Sequence, residues 1–368
     1  MGLAILITVN DAPHRQLTDM ATRVVIEEQL DQPATYTIHF EIDICDNNIG
    51  QQLHELTDPG SIIGIIAEVN DQRICLVKGP VTTQNASLQR GGAGSSIDIV
   101  GADSTHDLDR EHINRQWPDV TDADIVRTIL SGVRKEQDVA DTPDTGHAEE
   151  NHTLMQRESN LRFIQRLAQR NGFHFWFTSD NEGQETGHFR PRSLEADATA
   201  ILQLNTDNYN IENLSIEAQT ARPTQATGQQ LDLRNLETFG DIVTSSGDEA
   251  LGEQSLQQIA GSGGGEHSTQ LAPPTDDAGT LQARQTALLR EASWFITATC
   301  STTTHRLCKL IQIHNIVEIH GAGARHSGKY YVTGVRHTID AAVHKMDLTL
   351  SRNAWGNQSG SDLLSAIF

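Results

Sequence analysis

The chain has 368 residues, 49 of them acidic and 27 basic, for a formal charge of −22. That length carries two or three domains with real cores. The acidic excess repels phosphate backbones, and no basic stripe with interleaved aromatics offsets it, which argues against specific nucleic-acid binding. No apolar run approaches the ~20 residues of a membrane helix. The opening MGLAILITVN lacks the basic region and small-residue cleavage site of an export signal. The expectation is a chain made in the cytoplasm that does not itself enter a membrane.

The first hundred residues read as strands. Tyr36, Ile38, Phe40, Ile42 and Ile44 alternate with Thr37, His39, Glu41 and Asp43, the pattern of a half-buried strand. Residues 24–26, 62–69, 74–77 and 97–100 supply further short strands, with turn residues at 46–48, 58–60, 70–71 and 91–94. Strands at such intervals predict a barrel or sandwich.

From about Thr105 the periodicity changes. Thr121 or Asp122 caps a helix carrying Ile125, Val126, Ile129 and Leu130, and Gly132 ends it. After a polar stretch at 135–151 comes the most informative segment, ESNLRFIQRLAQRNGFHFWF at 158–177. Ser159 or Asn160 caps a second helix, and Leu161, Ile164, Leu167 and Ala168 recur at helical spacing. Arg162, Gln165, Arg166, Gln169 and Arg170 take the wet face, and Asn171-Gly172 closes the last turn. Phe173, Phe175 and Phe177 then share one face of a strand, with His174 and Trp176 on the other. Beyond Leu194, strands return at 200–204 and 214–218. Residues 240–279, rich in Gly, Ser, Glu and Gln, predict a mobile loop, and 281–292 a helix. Ile311, Ile313, Val317 and Ile319 face inward on one strand, Met346, Leu348 and Leu350 on another. Residues 357–368 read as a tail.

The residue types of common active sites are present without their spacing. Cys45, Cys75, Cys300 and Cys308 form no Cys-x-x-Cys pair, and each sits in or beside an apolar or β-like run, which predicts buried free thiols. His314, Glu318 and His320 would lie on one face of one strand. Successive side chains there stand about 7 Å apart, too far to converge on one ion, although a symmetry axis between copies could gather them. No nucleophile elbow, zinc-protease helix or phosphate loop occurs. Trp176 and Trp294 sit in packing patterns rather than on sugar-binding loops. These observations predict no catalytic residue, no cofactor and no metal.

The segment 158–177 resembles a signature of the hub proteins of contractile injection machines, the group of phage late control protein D and the hub part of VgrG proteins. Residues 327–340 (SGKYYVTGVRHTID), continuing into HKMDLTLSRN, are similar to the end of the same module. A weaker match spans 58–103. The matches follow family order. The resemblance implies a mainly β fold with an α+β insertion: a first barrel at 1–104, a middle domain at 105–190, and a second barrel at 191–355. The loop at about 240–280 and a tail at 356–368 complete the expected organisation. It implies Leu161, Ile164, Leu167, Gly172, Phe173, Phe175, Tyr331, Val335 and His337 as structural signature residues. It further implies a non-enzymatic homotrimeric baseplate hub that adapts a threefold spike to a sixfold inner tube, with baseplate proteins as further partners. VgrG proteins continue into a spike, whereas this sequence stops soon after SRN, so a separate spike protein is expected. A carbohydrate- or surface-binding β protein of a tail-like particle is the alternative reading.

Overall fold

The computed structural model describes residues 5–43, 53–70, 72–92, 94–133, 135–143, 147, 154–231, 238–271 and 278–356. Cys45, the turn predicted at 46–48 and the tail at 357–368 lie outside these residues.

The alternation read at 36–44 produces the strand Thr35–Ile42, with Tyr36, Ile38, Phe40 and Ile42 buried. It belongs to a thirteen-stranded sheet that dominates the molecule. From one end, the path runs through Leu214–Ala218, Ile296–Thr303, His344–Arg352, Gly328–Asp340, Ala21–Gln29 and Thr35–Ile42. It continues through Ser95–Ala102, Gln72–Ser87, Ile62–Val69 and Ile5–Val9 to Ala12–Pro13. Ile316–His320 branches from Gly328–Asp340 and carries Ala200–Gln203 in parallel. The strand Gln72–Ser87 is long enough to pair with Ile62–Val69 along its first half and Ser95–Ala102 along its second.

One pairing joins the two ends of the chain. Ala21–Gln29 runs antiparallel to Gly328–Asp340, in register from Gly334 opposite Gln29 to Asp340 opposite Arg23. Accordingly, the largest core mixes Val24, Ile26, Ile38 and Phe40 with Val335, Ile339, Met346 and Leu348. A second core belongs to the middle of the chain and gathers Trp117, Ile125, Val126, Leu130, Leu161, Phe163, Ile164, Leu167 and Phe189. A third, smaller cluster holds Leu194, Leu251, Trp294, Ile316 and Tyr331.

Three expectations need correction. Cys75 and Cys300 are buried thiols, but Cys308 is exposed in a left-handed turn (φ 55°) that ends the helix Thr304–Leu307. Ile311 is buried and Ile313 half-buried, yet both precede the strand Ile316–His320 instead of lying on it. Residues 238–271 carry more regular structure than their composition predicts: strands Thr238–Val243 and Ser268–Leu271 flank Gln225–Leu231. Backbone pairing needs no apolar side chains, and buried Leu251 and Leu256 supply the local anchors. Gln285, from the helix Ala278–Ser293, donates to the carbonyls of Ala226 and Asp241 and ties that helix to this small sheet. No described helix is long and apolar enough to cross a membrane.

Candidate functional site

The signature segment folds as its pattern dictates. Ser159 is the N-cap of the helix Asn160–Asn171, its hydroxyl accepting from the Arg162 amide. Gly172 caps the other end at φ 66°, a conformation that costs glycine nothing. An added Cβ would also be crowded there, 3.1 Å from Ala287 Cα of the neighbouring helix. Leu161, Ile164 and Leu167 are buried, as is Phe163, which widens the apolar face and stacks on Trp117 with centroids 6.2 Å apart. Phe173 and Phe175 follow into the same core, Phe173 meeting Phe189 edge-on at 5.3 Å. Phe177 is half-buried.

Arg170 departs from the wet face. Its guanidinium reaches inward to Asp122, a carboxylate 1% exposed that also binds His147 at 2.9 Å and the Asn171 side chain at 2.6 Å. The helix-dipole argument places an arginine in the last turn, but the buried anion opposite decides its direction.

The other face of the aromatic strand His174–Ser179 holds the middle of the chain against both ends. His174, 2% exposed, sets Nδ1 2.9 Å from Asp31 in the hairpin turn after Ala21–Gln29, and Nε2 3.5 Å from Glu291 on the helix Ala278–Ser293. Burial disfavours the charged ring, but the two carboxylates outweigh it and raise its pKa. Arg192 grips Glu291 through both nitrogens at 2.7 and 2.9 Å. Burial opposes ionisation of Glu291, yet His174 and Arg192 together hold it down to about 2. Trp176 lies between two imidazoles, His188 at 4.8 Å and His314 at 3.6 Å, each within 15° of parallel. His314 in turn meets the Tyr331 hydroxyl at 2.7 Å. Burial and the neighbouring positive charges keep His314 well below the usual histidine range.

His314 therefore does not share a strand face with Glu318 and His320. It occupies a turn at φ 66°, while Glu318 and His320 pair with each other on Ile316–His320 at 3.0 Å. Among the described residues no group of three or more His, Cys, Asp or Glu side chains is placed to hold a metal.

The remaining signature residues lie elsewhere. Tyr331 belongs to the third core, and Val335 and His337 project from the inner face of Gly328–Asp340, where it pairs with Ala21–Gln29. The sequence pattern thus marks two places: a joint around His174 and Trp176, and a seam around His337. Between them lies a cavity of about 280 Å³ whose lining includes Glu28, Lys78, Asp103, Trp176, His314 and Tyr331. Lys78 is buried and held by Asp11 at 2.6 Å and the Gly183 carbonyl at 2.7 Å. Sequence reading missed Asp31, Glu291 and Glu28, and saw Asp122 only as a helix cap. Each is a single acid among 49, and nothing in local periodicity says which of them a distant side chain reaches. His174, Arg192 and His314 tie the joint to other parts of the same chain, while His174 Nε2, Arg192 Nε and His314 Nε2 have no hydrogen-bond partner among the described residues.

The fold is similar to that of several phage tail proteins. The chain is similar to the tail protein from Neisseria meningitidis, with 14% identity, a TM-score of 0.65, and 96% and 97% of the two chains covered. It is similar to the 43 kDa tail protein of prophage MuSo2 from Shewanella oneidensis, with 15% identity, a TM-score of 0.64, and coverage of 95% and 98%. A third likeness is to the E. coli c3393 protein, a component of the type VI secretion system with structural similarity to the T4 bacteriophage tail proteins gp27 and gp5. There the identity is 14%, the TM-score 0.56, and the coverage 90% and 73%. No curated protein matches the sequence. A family model described as the Alg8 N-terminal domain matches residues 20–341, and the chain belongs to that family.

Proposed function

We propose that the chain is a structural hub in the baseplate of a contractile phage tail or phage-like injection particle. The observation that carries this reading is a likeness to tail proteins over nearly the whole of both chains, joined to a centre in which the middle of the chain is bolted to both ends through His174, Trp176 and Arg192. A part that transmits force between other parts needs such a joint, because a load-bearing element with weakly tied segments would hinge. In this reading residues 1–104 and 191–355 form two barrel-like units and 105–190 brace them. Three copies present six such units, and a threefold spike is matched to a sixfold inner tube. Closed rings suit the role because they leave no edge for continued growth. The partners are two further copies, a separate spike protein, the tube protein and other baseplate proteins. The role is mechanical, without a catalytic step.

Sedimentation of the full chain, alone and with the spike and tube proteins of its particle, tests the reading. A mass of three chains is expected. The formal charge of −22 per copy makes assembly improve as salt rises from very low values, because screening shortens the repulsion to ~8 Å at physiological strength. A chain that stays monomeric with both partners present would defeat the hub.

A further inference from the structure

We propose that the seam between Ala21–Gln29 and Gly328–Asp340 is latched by a proton: Glu28 is a carboxylic acid donating to His337, and loss of that proton loosens the pairing of the two ends of the chain. The side chains concerned all lie on the inner face of the sheet. Glu28 is 8% exposed and His337 0%, and His344, also buried, comes from the next strand, His344–Arg352. His337 Nδ1 stands 3.0 Å from His344 Nε2, and His337 Nε2 stands 3.8 Å from Glu28 Oε2. Neither Glu28 Oε2 nor His337 Nε2 has a hydrogen-bond partner at these distances. Each is therefore the other's available complement, and a small side-chain rotation closes the gap.

Proton counting narrows the choices. One proton lies between the two imidazoles. If His337 donates it from Nδ1, its Nε2 is an acceptor and Glu28 must be the acid. If His344 donates it, His337 Nε2–H faces a carboxylate and the cluster carries a buried negative charge. The surroundings favour the neutral arrangement. Of the basic side chains lining the cavity, Lys78 is already engaged by Asp11 and the Gly183 carbonyl, and Arg190 by Asp138. Asp103 adds negative charge against an ionised Glu28. Cys75 donates to the Val77 carbonyl, and the Tyr331 hydroxyl is engaged by His314 Nδ1. The charged groups on the outer face of the same strands, Glu27 with Arg336 and Lys345 with Asp347, pair among themselves. Burial pushes Glu28 up to about 8, against one stabilising hydrogen bond from the Ile313 backbone, and depresses His337 to about 4 and His344 to about 3. Once Glu28 ionises, its relief is water entering from the adjoining cavity, at the expense of the seam.

Infrared difference spectra of the full chain against Glu28→Gln, with amide hydrogen exchange on both, test the latch. The wild type is expected to show a protonated-carboxyl band near neutral pH that Glu28→Gln lacks and that disappears on alkaline titration. Seam amides at 334–340 should open more readily in the wild type than in Glu28→Gln as pH rises, by up to about tenfold per pH unit. Amides of the helix Asn160–Asn171 serve as the internal reference. If Glu28→Gln folds poorly, the wild-type band alone decides, because its midpoint separates a latch from an ordinary carboxylate. A missing band at neutral pH, or identical pH dependence of seam exchange in the two proteins, overturns the proposal.

Discussion

His174 and His337 are both buried, and both stand where separate parts of the chain meet, yet their charges are set in opposite senses. At the joint, His174 faces Asp31 and Glu291, and its pKa is raised. At the seam, His337 faces a second imidazole and a carboxyl that burial keeps protonated, and it is depressed to about 4. Burial disfavours charge in both places. What differs is whether opposite charge stands beside the buried ring. The joint is an ionic fastening and the seam a neutral one, so acid and alkali act on them differently.

The largest expected effect sharpens this contrast from the ionic side. Asp122→Ala strands Arg170 against His147 in the middle core, and losing one partner of a buried pair costs about 3–5 kcal/mol; equilibrium denaturation measures it. Ile164→Ala, in the apolar core beside it, should cost about 2–5 kcal/mol. If Ile164→Ala proved much the costlier of the two, the buried ionic cluster would be an ornament of the core rather than part of its stability.

The pH profile breaks the comparison most directly. Depressed histidines bind protons more readily when unfolded, so His337 and His344 favour folding fully above pH 6.5. That contribution is lost as pH falls below 6.5 toward about 4 and 3. His174 has the opposite sign: its contribution is complete below 6.5 and is lost as pH rises through its elevated folded value. Glu28, raised to about 8 from 4.5, also makes stability fall with rising pH across that interval. His174→Gln should therefore flatten the alkaline limb and leave the acid limb in place, whereas His337→Gln should soften the acid limb. Denaturation midpoints measured across pH separate the two, and equal responses would erase the distinction between joint and seam.

At the small end, Arg162→Ala should shift stability by no more than about 0.5 kcal/mol. Arg162 is exposed and its ion pair to Asp109 is long at 3.7 Å. Thermal unfolding of this variant beside Asp122→Ala tests whether arginines on one helix differ because of what they face. Similar losses would show that the division of the helix into wet and buried arginines is wrong.

How legible these features were depended on whether a local period encoded them. The helix Asn160–Asn171 could be read because cap, apolar spacing and glycine stop agree within fourteen residues, and the strand Thr35–Ile42 because alternation is a property of neighbours. Arg170 and His314 were misplaced for a shared reason. Each has an unremarkable local setting, and its direction is set by a partner far along the chain, Asp122 and Trp176 respectively. The regular structure at 238–271 was unreadable because its stability comes from backbone pairing with Gln225–Leu231, which leaves little mark on side-chain composition.

By itself, the sequence determined which segments alternate, where helices start and stop, and which apolar faces must be covered, since these follow from periods of 2 and 3.6 residues. Only the tertiary structure decided that Ala21–Gln29 lies against Gly328–Asp340, that Glu28 on the former faces His337 on the latter, and that His174 finds one carboxylate 143 residues before it and another far after it. The free energy of a charge depends on what surrounds it, and in this chain those surroundings are assembled from residues that no local pattern connects.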